Sequence, residues 1–90
     1  MNKLNVVEEA KREQEANYCG MIGTVYLMSD NDLEETALLA AFINACRRFD
    51  VSPTELANSA VGLAGYAGAT VPDAERKIQR IAIEIDPVRF

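Results

Sequence analysis

The side chains able to do covalent or acid–base chemistry are few, and their spacing does not bring them together. Cys19 and Cys46 are the two cysteines of a chain that has no histidine. A thiol needs a nearby base to become a nucleophile at neutral pH, and the usual imidazole is missing. Two cysteines also fall short of an all-cysteine zinc site. Both thiols therefore read as small apolar core groups in a reducing, cytoplasmic compartment. The carboxylates include the adjacent pairs Glu8–Glu9 and Glu34–Glu35. Neighbours in sequence diverge on a helix, so neither pair converges on a substrate. Asp30-Asn31-Asp32 is a fragment of a calcium loop without the rest of that motif, and it serves better as a helix cap. These residues do not predict an enzyme, a metal site or a cofactor.

Two longer stretches are weighed against blander readings. Gly62-Leu63-Ala64-Gly65-Tyr66-Ala67-Gly68 is rich in glycine. Such runs cradle phosphate when they follow a strand and open a helix, whereas this one closes a helix. Together with Ala57 and Ala60, it instead predicts a close approach to the second helix or to a dimer mate. The stretch from Ala45 to Leu56 resembles the core of a helix-turn-helix, with a small residue, apolar positions, a turn and a Ser-Pro cap. The resemblance implies DNA contacts from Arg47, Arg48, Ser52, Thr54 and Asn58. Asp50 stands where glycine is usual, and the would-be recognition helix carries no lysine or arginine. Cations are what displace counterions from phosphates, and beyond the Arg47–Arg48 pair only Arg76, Lys77 and Arg80 could add them. A dimeric helix-turn-helix DNA-binding regulator is therefore the alternative function.

The elements that must position these residues are helical. Ninety residues bound the chain to one small domain. With 49% hydrophobic and 26% charged residues it has the composition of a folded domain. The net charge of −5 disfavours nucleic acid and anionic membrane. No secretory leader and no membrane span is expected. A first helix is predicted from about Lys3 to Met28, bent near Gly20 and Gly23, with a short strand over 21–28 as the alternative. Leu4, Val7, Lys11, Gln14, Tyr18, Met21, Val25 and Met28 alternate at spacings of three and four, an apolar seam interrupted by Lys11 and Gln14. A second helix follows the Ser29–Asp32 cap cluster and runs to about Phe49, apolar nearly all round from Ala37 to Cys46 and so expected at the centre. Ser52-Pro53-Thr54-Glu55 is a capping box that opens a third helix, which Gly68 ends. Thr70-Val71-Pro72-Asp73 starts a fourth, with Ala74, Ile78, Ile81 (or Ala82) and Ile85 on one stripe and a stop at Asp86-Pro87. The fold class predicted is all-α, a compact bundle of four helices with a long first helix and short capped turns.

The first helix is longer than its neighbours can cover, so part of its apolar surface is expected to meet a second chain. A homodimer is the expected state. The function expected is that of a small acidic helical interaction protein, a non-catalytic regulator, adaptor or inhibitor of another macromolecule. Inhibitors encoded by phages and plasmids share this size and acidity, a likeness of size and charge alone. The expected partner is a protein with a basic surface. The expected contact residues are Tyr18, Met21 and Tyr26, ringed by Glu8, Glu9, Glu34 and Glu35. A small-molecule sensor is a third reading, for which no residue names a ligand.

Overall fold

A computed structural model of the chain describes residues 3–85. They form four helices: α1 (Lys3–Leu27), α2 (Asp32–Phe49), α3 (Pro53–Tyr66) and α4 (Ala74–Ile85). No strand occurs among the described residues, so 21–27 is the helical end of α1. The expected stop at Asp86-Pro87 and the tail Val88-Arg89-Phe90 lie outside the described residues.

Local chemistry sets the boundaries. The Asn31 side chain accepts the Glu34 N–H at 2.8 Å and caps α2. Ser52 Oγ accepts the Glu55 N–H at 3.3 Å and caps α3, with Pro53 next, where its missing N–H costs nothing. α2 closes on Asp50, which is left-handed at φ 56°, while the Val51 N–H reaches Cys46 O at 2.9 Å. α3 closes the same way on Gly68 at φ 78°, with the Ala69 N–H on Ala64 O at 2.8 Å. Both are Schellman endings, and only the second uses the residue that adopts this conformation freely.

α2 folds back along the C-terminal half of α1. Cys19, Tyr26 and Leu27 of α1 meet Leu39, Phe42, Ile43 and Cys46 of α2 in the core. Gly23 admits Phe42: a Cβ built on Gly23 would stand 2.7 Å from the ring. The Tyr26 and Phe42 rings lie nearly parallel, 6.3 Å between centroids. α3 adds Ala57 and α4 adds Ile81. α2 is not buried all round, because Ala37, Ala40, Ala41 and Asn44 form an exposed outer face. The Gly62–Gly68 run does not pack on α2: Cβ atoms built on Gly62 and Gly65 would meet nothing within 4 Å.

The fourth helix is held by charge as much as by apolar contact. Lys77 is fully buried and its Nζ donates to Leu27 O at 2.6 Å and Ser29 O at 2.7 Å. The ammonium thereby neutralises the negative C-terminal end of α1. In return Tyr26 Oη donates to Lys77 O at 2.8 Å.

Candidate functional site

From Lys3 to Gln14 every residue of α1 is exposed, and its first fully buried residue is Cys19. The first half of α1 is thus an arm beyond the packed core. An isolated helix that short has little stability of its own in water. The residues at the three–four spacing remain on the surface along the whole helix, with Val7, Tyr18, Met21, Val25 and Met28 all more than half exposed. The apolar seam read from the sequence is therefore not the face that packs on α2. That face is built from Cys19, Gly23, Tyr26 and Leu27.

Beside the seam, α1 and α3 enclose an open groove of about 740 Å³. On the α1 side it is lined by Gly20, Met21, Thr24 and Met28, and on the α3 side by Leu56, Ala60, Leu63 and Ala64. Its volume is that of a ligand site. Leu27 and Val71 also line it, Leu27 from the core, while Met21 and Leu63 are 70% and 72% exposed. Ala16 and Asn17 also line it, and the spacing of four residues carries that wall on to Arg12 and Glu13. Glu55 stands in the first turn of α3. The groove is lined mainly by apolar side chains.

The expected contact residues separate into those on this surface and those inside the protein. Tyr18 and Met21 are on it, although Tyr18 also makes an edge-on contact with Phe49, 6.0 Å between ring centroids. Tyr26 is not an exposed anchor: it has no accessible surface, and burial together with the nearby Glu35 carboxylate raises its phenol to about 12. Glu35 is not a rim charge either. It is buried, and it accepts from Arg76 Nη1 and Nη2 at 2.9 and 2.7 Å and from Arg80 Nη1 at 2.6 Å. The Arg76 hydrogen bonds, with help from Arg80 and against burial, hold its carboxyl down at about 2. Glu8, Glu9 and Glu34 are exposed but do not form one patch. Glu8 and Glu9 lie on the arm, and Glu34 lies beyond the opposite end of α1.

The same contacts bear on the alternative site. Lys77 is inside the protein, while Arg76 and Arg80 are committed to Glu35. Arg47 and Arg48 remain exposed, with Arg48 lying over the Phe49 ring at 5.4 Å. Ser52 and Asn58 are exposed, and Thr54 is half-buried. Cys19 and Cys46 are both buried, and Cys46 is raised to about 12 by burial and by its contact with Cys19, so neither is an available nucleophile. No cluster of His, Cys, Asp or Glu able to hold a metal occurs among the described residues. Nor is any described helix long and apolar enough to cross a membrane.

No family model, curated protein or solved structure matches this chain.

Proposed function

We propose that the chain is a non-catalytic interaction protein, a regulator, adaptor or inhibitor that takes a helix of another protein in the groove between α1 and α3. The observation that carries this reading is the groove, with Met21, Met28 and Leu63 exposed along it. Folded domains leave connected apolar surface of this kind where another molecule covers it. An amphipathic helix laid into such a groove is a recurrent mode of recognition. Gly20, Ala60 and Ala64 leave room for its backbone, and adaptable methionines fit its side chains. The net charge of −5 calls for lysine or arginine on the flanks of the guest. The functional unit is a homodimer, and the compartment is a reducing cytoplasm in which Cys19 and Cys46 stay thiols.

Titration of the isotope-labelled chain with a synthetic amphipathic helix, leucine on one face and lysine on the other, tests this reading. Saturable resonance shifts are expected at Gly20, Thr24, Ala60 and Ala64, weaker at high salt and absent in Leu63→Glu. A helix that leaves those resonances unmoved would falsify the groove as the site. Random duplex DNA is the second probe. Salt-sensitive shifts confined to Arg47, Arg48, Ser52, Thr54 and Asn58 would replace this reading with DNA binding.

A further inference from the structure

We infer that the seam of α1 pairs with the same seam of a second copy, antiparallel and along its full length. The inference rests on the reading of α1 as an interaction surface and names the occupant of a seam that shares Met21 and Met28 with the groove. Three observations carry it. The first is periodicity: Leu4, Val7, Lys11, Gln14, Tyr18, Met21, Val25 and Met28 keep the alternation of three and four without a break, and all are exposed. That repeat is the signature of a helix wound against another helix of similar length, and each of its residues stays exposed although Phe49 of α2 meets Tyr18 edge-on. A partner with a short apolar patch would need only part of it.

The second observation is Lys11. Parallel, in-register pairing would set Lys11 against Lys11 of the partner subunit in one layer, two ammonium groups in an apolar seam. In the antiparallel register with full overlap, Leu4 faces Met28 of the partner subunit and Val7 faces Val25 of the partner subunit. Lys11 then lays its methylenes on Met21 of the partner subunit, with its ammonium free to reach Glu8 or Glu15 of its own helix. Gln14 meets Tyr18 of the partner subunit, an amide beside a phenol.

The third observation is the charge at the two ends of α1. Lys3 opens the helix, while Asp30, Asp32 and Glu34 cluster just beyond its close. Antiparallel pairing brings each Lys3 toward the other copy's acidic turn, whereas parallel pairing sets acidic turn beside acidic turn. The exposed Leu33 stands in that same turn, where the other copy's Leu4 arrives. The arm from Lys3 to Gln14, exposed throughout, lies along the other copy over its whole length.

Light scattering should return twice the 9.9 kDa of one chain, and Met21→Glu should halve that mass with helical circular dichroism unchanged. Register is read by oxidising copies with single substitutions. Val7→Cys mixed with Val25→Cys should give a covalent dimer, and either alone should not. Cross-linking of Val7→Cys to itself overturns the antiparallel arrangement. A wild-type chain of single mass at micromolar concentration overturns the pairing altogether. A monomer that still takes the synthetic helix refutes the pairing and leaves the groove reading standing. A cross-linked dimer that ignores the helix supports the pairing and refutes the groove.

Discussion

Gly20 and Gly23 lie within one turn of α1, yet alanine should act in opposite directions at the two sites. Nothing stands within 4 Å of a Cβ built on Gly20, so Gly20→Ala should stabilise by up to about 1 kcal/mol through helix propensity. At Gly23 the same methyl would meet the Phe42 ring at 2.7 Å, and that ring is locked against Tyr26. Overpacking outweighs the propensity gain there, and Gly23→Ala should lose about 1–2 kcal/mol. Urea midpoints for the two variants check the sign of each. Lys77 is the other residue whose role hides in its type. Lys77→Met would leave the carbonyls of Leu27 and Ser29 without their donor, and a loss of about 3 kcal/mol in thermal or urea unfolding is expected. Sequence alone read Lys77 and Glu35 as surface charges, because lysine and glutamate are almost never fully buried. Their partners lie more than forty positions away in the chain, and no local pattern announces that separation.

Element boundaries were legible because they are set within a few residues. Asn31 and Ser52 cap as their spacing to Glu34 and Glu55 requires, and Gly68 ends α3 as its missing Cβ allows. Which face each helix buries was harder to read. α1 carries its regular apolar repeat on the exposed side, while its core face is assembled from a cysteine, a glycine and a tyrosine that periodicity overlooks. α4 depends on α2 through Glu35, and that dependence sets a pH response. The folded carboxyl titrates at about 2 against an ordinary 4.5, so its contribution is complete above the ordinary value. It is lost as pH falls from 4.5 toward 2, and is worth about 3 kcal/mol if the whole shift is expressed. Acid titration of the helical signal should show wild type losing stability across that window. Glu35→Gln should be weaker at neutral pH and flat in the window. A variant that keeps the wild-type acid slope would place the acid sensitivity elsewhere.

At the scale of the whole molecule, stability and assembly are one quantity if α1 pairs with a second copy. The melting temperature should then rise with protein concentration, and a melt that ignores dilution would speak against assembly. Lys11→Leu should raise the melting temperature further, by an amount equivalent to about 1 kcal/mol, since a polar group in a seam costs stability and sets register. Antiparallel pairing also places the two bundles at opposite ends of the paired helices, each with its α1–α3 groove. The contact of Cys19 with Cys46 has a different consequence. Both thiols are without accessible surface and sit on opposite sides of the α1–α2 contact. A thiol reagent can modify them only in molecules whose first two helices have parted. The rate of labelling in the native protein is therefore a direct count of how often the core opens.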